Sequence, residues 1–125
     1  MEIKIMKTKI CTDIDQSERL IALGIDVNTA DMFWLTTDKP RLHILVEDLK
    51  NYSRWDCMPA WSFSALLGLI PNSINFGYYN DSTFVLKKIE NGNYIADYYE
   101  VSFVKDNPLD AAFEMVVWLK ENGKI

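Results

Sequence analysis

The sequence is poor in the residues that build metal, phosphate and nucleophilic sites. Its 125 residues include 1 histidine, 2 cysteines and 5 glycines. A zinc site normally takes three or four ligands at close spacing, whereas Cys11, His43 and Cys57 are far apart in the chain. The glycines are scattered and form no phosphate-binding loop. We therefore expect no metal site and no cofactor.

A catalytic centre is not indicated either. Cys11 is the best-placed candidate nucleophile, because it precedes a predicted helix whose N-terminus can lower the pKa of a thiol. Ser62 lacks the flanking glycines of a nucleophile elbow and is better explained as a helix cap. We assign no catalytic residue, and an enzyme is the less favoured interpretation.

Positive charge is also scarce. The chain has 18 acidic and 13 basic residues, a net charge of −5, and the only basic cluster is formed by Lys4, Lys7 and Lys9. Nucleic-acid binding depends on clustered Lys and Arg that neutralise phosphates, and anionic membranes attract the same residues. We therefore expect neither a nucleic acid nor a membrane as a partner.

Long apolar segments are absent as well. The densest apolar segment, residues 65–70, is far shorter than the roughly 20 residues of a membrane helix. Residues 1–10 alternate Ile and Lys and lack the apolar core of a signal peptide. The sequence therefore predicts a cytoplasmic protein with two free thiols.

The first predicted helix has clear end signals. Thr12 or Asp13 is its N-cap, and Asp15 or Gln16 stands three residues later to complete a capping box. Gly24 is placed to end the helix in the left-handed conformation of a Schellman motif.

Two more helices are predicted by the same rules. Ser62 caps a helix over residues 63–70, which Pro71 ends. Asn107 caps the last helix, and Pro108 takes its first position.

The remaining apolar segments read as strands. They are residues 2–10, 33–36, 41–46, 74–79, 83–89 and 94–104. Residues 47–59 show no clean period and are predicted to be a loop. The whole chain, 1–125, is predicted to be one α+β domain: an antiparallel sheet or meander with about three helices packed mainly on one face.

The strongest local signal is the hairpin at Asn91-Gly92. This pair is preferred in two-residue type I′ turns, because both positions need a positive φ. Such a turn sets a register in which Ile89 faces Tyr94 and Val85 faces Tyr98.

In that register the hairpin has two partly apolar faces. Helices are expected to cover the face that includes Phe84 and Leu86. The second face carries Val85, Ile89, Tyr94, Ala96 and Tyr98. Tyr94 and Tyr98 are therefore predicted to lie in a partly exposed patch that binds a protein partner or a second copy of this chain. The alternative is that both rings lie flat with their hydroxyls in water.

Tryptophan is the other conspicuous residue type, with 4 in the chain. Such residues are good core fillers and also good binding anchors. Trp34 and Trp61 are the candidate lining of a ligand pocket, and packing in the core is the alternative.

Three segments together resemble a family of small uncharacterised proteins from Bacteroides-type gut bacteria and their phages or mobile elements. The segments are residues 17–34, 59–71 and 107–122, with the start at residues 9–12. The motif Pro59-Ala60-Trp61-Ser62, followed by residues 64–67, is the most specific part. Residues 38–56 fall outside the resemblance. The resemblance implies a cytoplasmic, accessory, phage-linked context, and the family has no assigned activity to carry over.

These observations favour a non-enzymatic cytoplasmic interaction protein, accessory to a phage or mobile element. One alternative is a small-molecule-binding protein or small enzyme with an aromatic-lined pocket. Another is an acidic DNA mimic, which fits the sign of the charge but would carry more carboxylates and fewer lysines.

Overall fold

The computed structural model describes residues 9–35, 41–43, 57–75 and 81–125. It has an α+β fold, as predicted. In chain order the elements are α1 (Ile14–Ala22), β1 (Met32–Leu35), β2 (Arg41–His43), β3 (Cys57–Ala60), α2 (Phe63–Leu69), β4 (Ser73–Asn75), β5 (Asp81–Thr83), β6 (Val85–Lys88), β7 (Tyr94–Tyr98), β8 (Val101–Lys105) and α3 (Pro108–Glu121). Single 3-10 turns cover Val27–Thr29 and Glu90–Gly92.

The ends of α1 follow the sequence signals closely. Asp13 is the N-cap, and its carboxylate and the Gln16 side chain form a reciprocal capping box. At the other end Gly24 has φ +89°, and Ile25 donates its backbone N–H to the Leu20 carbonyl. This is the Schellman ending that the sequence predicted.

The other two helices also begin where predicted. Ser62 accepts a hydrogen bond from the Ala65 N–H, and α2 ends at Leu69, one residue before the predicted end. Asn107 caps α3 through the Asp110 N–H, with Pro108 in the first turn.

Within the described residues, the strands form three small antiparallel sheets. Their strand orders are β2-β1-β3, β4-β5 and β6-β7-β8. The loop predicted for residues 47–59 is wrong at its end, because Cys57–Ala60 pairs with Met32–Leu35 as β3. Pro59 is tolerated there because β3 lies at the edge of its sheet in the described residues. The predicted strands over 2–8, 44–46 and 76–79 lie outside the described residues.

The main core is built on α3. The helix packs against β6, β7 and β8 on one side and against α2, while α1 packs against β3. Most of its length is buried: Leu109, Ala111, Ala112, Phe113, Met115, Val116, Val117 and Leu119. One face of the β6-β7-β8 sheet is thereby covered. The register of the hairpin decides which residues lie on the other face.

Candidate interaction surface

The turn between β6 and β7 forms at the predicted residues. Asn91 has φ 64° and Gly92 has φ 75°, and the Asn93 N–H donates to the Glu90 carbonyl at 3.4 Å. These are the two positive φ values that an Asn-Gly turn supplies.

The predicted register is nevertheless wrong by one residue. The Ile89 N–H donates to the Asn93 carbonyl at 2.8 Å, so that Glu90 is an extra residue on the first strand. Val85 consequently lies opposite Asp97, not opposite Tyr98. An extra residue of this kind shifts the pairing of everything beyond it.

The shift exchanges the two faces of β7. Because alternate residues of a strand point to opposite sides, Tyr94, Ala96 and Tyr98 lie on the side that α3 covers. Tyr98 is 0% exposed, and its ring lies 5.4 Å from that of Phe84. The predicted exposure of Tyr98 in a surface patch is therefore wrong, and Tyr94 is half-buried.

The hydroxyl of the buried Tyr98 side chain is satisfied by a hydrogen bond. It donates to the backbone carbonyl of Pro71, just after α2. Burial raises the pKa of Tyr98 to about 12, because a phenolate is poorly solvated there. Tyr98 thus has a structural role that joins the sheet to the end of α2.

The opposite side of this sheet is termed the outer face here. It consists of two rows of paired residues, Val85–Asp97–Ser102 and Lys87–Ile95–Val104. Val85 is 42% exposed and Val104 is 48% exposed, whereas Ile95 between the strands is half-buried. The outer face therefore presents apolar side chains to solvent beside one cation and one anion.

Tyr99 projects from the end of the outer face. It follows β7 in the turn to β8 and is 89% exposed. Its backbone N–H donates to the Ser82 hydroxyl at 2.6 Å, and Ser82 is itself buried in β5. The turn that carries the exposed ring is therefore tied to the neighbouring strand.

The two candidate tryptophans lie close together, but in a different part of the molecule. The Trp34 indole donates to the Thr12 carbonyl at 3.0 Å, and the Trp61 N–H donates to the Thr12 hydroxyl at 3.0 Å. The Trp61 indole donates to Thr29 at 2.9 Å. Trp61 is 0% exposed, so its ring offers no surface to a ligand, and Trp34 is half-buried.

The thiol of Cys11 is not activated as a nucleophile. Burial raises its pKa to about 11, and the nearby charge of Asp31 acts in the same direction. The nearby charge of Lys9 acts against these two effects on the pKa but does not outweigh them. Cys11 is buried, Cys57 is half-buried, and no disulfide joins them. In the described parts of the chain, no three His, Cys, Asp or Glu side chains are grouped to hold a metal ion.

A network of charged and amide side chains joins the start of α1 to the start of α3. Asp110 accepts from Lys9, Gln16 and Asn107, each at 2.8 Å, and Lys9 also lies 3.3 Å from Asp13. Partial burial alone would raise the pKa of Asp110. The three hydrogen bonds outweigh burial and hold that pKa below its ordinary value of 3.8.

A scan against protein-family models and searches of curated proteins and of solved structures found no match to this chain. Separately, none of the helices within the described ranges is both long and apolar enough to cross a membrane.

Proposed function

We propose that this chain is a small non-enzymatic interaction protein that binds a protein partner through the outer face and Tyr99. The observation that carries the proposal is the aromatic ring of Tyr99, 89% exposed at the end of a face with two more exposed apolar residues. Exposed apolar groups that adjoin one another mark interaction sites more often than scattered ones do.

Tyr99 has the features of a binding anchor. Tyrosine is enriched among residues that dominate binding energy, and it loses little side-chain entropy when it is fixed. The hydrogen bond from its N–H to Ser82 holds the turn before any partner arrives. A partner therefore meets a turn that is already ordered, which lowers the cost of association.

A ligand pocket and a cysteine enzyme receive less support. A pocket lined by Trp34 and Trp61 requires ring surface that Trp61 does not offer. A cysteine nucleophile requires a thiolate at neutral pH, and burial of Cys11 favours the thiol. A cytoplasmic location remains part of the proposal, on the apolar pattern of the sequence and on the resemblance. An accessory role in a phage or mobile element also remains part of it, on the resemblance alone.

Site-specific photo-cross-linking in the native host tests the proposal. A benzophenone amino acid replaces Tyr99 in one variant and Val27 in another. Val27 is the matched control, since it is also apolar and exposed but lies in the turn after α1. We expect a discrete protein adduct from position 99 and none from position 27. Absence of an adduct at position 99, or equal adducts at both, would contradict the proposal.

A further inference from the structure

We propose that the partner of the outer face is a second copy of this chain, bound with its strands antiparallel to those of the first. This inference rests on the proposed function and specifies its partner. It is based on the distribution of charge along the face.

The end of the face near Tyr99 is acidic. Asp97 lies in the first row of the outer face, and Glu100 follows Tyr99 in the exposed turn. Asp81 is also exposed, in the adjoining strand β5. A copy of the chain that approaches this end needs cations to match these carboxylates.

The opposite end of β6 is basic. Lys87 lies in the second row of the outer face, and the exposed Lys88 follows it. Two neighbouring carboxylates are used within the fold: Glu114 lies 4.0 Å from Lys105, and Asp106 accepts from Asn107. Glu90 lies in the turn beyond and reduces the positive charge of this end.

A face that binds a copy of itself must carry its own complement, because a two-fold axis repeats each contact with the roles reversed. A two-fold axis that runs across the strands reverses their direction. It brings the Asp97 end of each copy onto the Lys87 end of the other, and brings Tyr99 near Lys87 of the second copy. Lysine and an aromatic ring attract each other in such contacts. A parallel arrangement would instead place like charges together.

The size of the face sets the expected strength. Stable interfaces bury about 800 Å² on each partner. This area is larger than the surface that three strands of four or five residues present. We therefore expect a weak, reversible dimer. Its charge contacts lie at the rim, so that raising the salt concentration should weaken it.

Sedimentation velocity over a concentration series tests this proposal. One variant combines Lys87→Glu with Lys88→Glu and makes both ends acidic; the other combines Asp97→Lys with Glu100→Lys and makes both ends basic. Each should remain monomeric alone, because like charges then meet at both ends. A one-to-one mixture should dimerise, because opposite charges meet again. Circular dichroism first establishes that each variant is folded.

Asp15→Lys with Glu18→Lys is the matched control, since it changes the charge equally on the exposed side of α1 and should dimerise as the wild type does. A wild type that stays monomeric throughout, or swapped variants that dimerise alone, would overturn the proposal. If the wild type is monomeric while position 99 cross-links to another protein in cells, only the choice of partner is wrong. If position 99 yields no adduct either, the proposed function fails too.

Discussion

The hydroxyl of Tyr98 is a polar group on a buried side chain, and it stabilises the contact between β7 and the end of α2. It donates to the carbonyl of Pro71 from a fully buried side chain. Removing it leaves that carbonyl without this donor, and such a loss costs about 1–2 kcal/mol. We expect Tyr98→Phe to lower the free energy of unfolding by that amount in urea titrations. Tyr99→Phe, at the exposed neighbour, should change it by less than about 0.5 kcal/mol. Equal effects at the two positions would contradict this assignment.

Asp110 makes stability depend on pH in a definite direction. Its pKa in the folded state lies below 3.8, so the unfolded state takes up its proton first as the pH falls. The stabilisation from the network is therefore present above pH 3.8 and is lost as the pH falls through the pKa of the folded state. Urea midpoints of wild type and Asp110→Asn should differ near neutral pH and converge as the pH falls below 3.8. Lys9→Met should remove part of the same dependence. A gap that stays constant with pH would refute the role of this carboxylate.

At the scale of elements, two glycines have opposite roles. Gly68 lies on the exposed side of α2 with no atom within 4 Å of an added Cβ, whereas Gly24 ends α1 with φ +89°. Gly68→Ala should stabilise the protein by about 0.5–1 kcal/mol, because glycine disfavours a helix interior. Gly24→Ala should destabilise it, because alanine resists that φ. Thermal unfolding of the two variants measures both signs, and a shift in the same direction for both would contradict this explanation.

Helix ends could be predicted because their signals are local. Asp13 and Gln16 form their capping box within one turn, and Gly24 ends α1 regardless of what packs nearby. The strand Cys57–Ala60 could not be predicted, since it is a strand only through pairing with Met32–Leu35. Its proline argues against a strand unless the edge position is known.

The candidate surface was predicted as a face but not residue by residue. The Asn-Gly signal located the turn, and Val85 does lie on the exposed side. The extra residue Glu90 has no such signal, because it is defined by a hydrogen bond between Ile89 and Asn93. A shift of one residue then exchanges Tyr98 with Tyr99, and two adjacent identical side chains give no pattern by which to notice it.

At the scale of the whole molecule, the two hydrophobic clusters are joined by hydrogen bonds. The larger contains α3 and Trp61, and the smaller contains Cys11, Met32 and Ala60 with Trp34 packed against it. Thr12 bonds to both tryptophans. We therefore expect one cooperative transition, in which tryptophan fluorescence and far-ultraviolet circular dichroism give the same urea midpoint. Two separate midpoints would contradict the single domain predicted from the sequence.

The extra residue in the β6–β7 turn also decides where the chain can change in length. Exposed hairpin tips usually tolerate insertion and deletion, and Glu90 is exposed there. Loss of Glu90 alone would leave Ile89 and Asn93 on either side of Asn91-Gly92, and these two residues already pair. A simple two-residue hairpin would then form with β7 in its present register. Loss of one residue from within β7 would instead turn the rest of that strand over. A lineage that keeps this fold should therefore show gaps at Glu90 far more often than within β7.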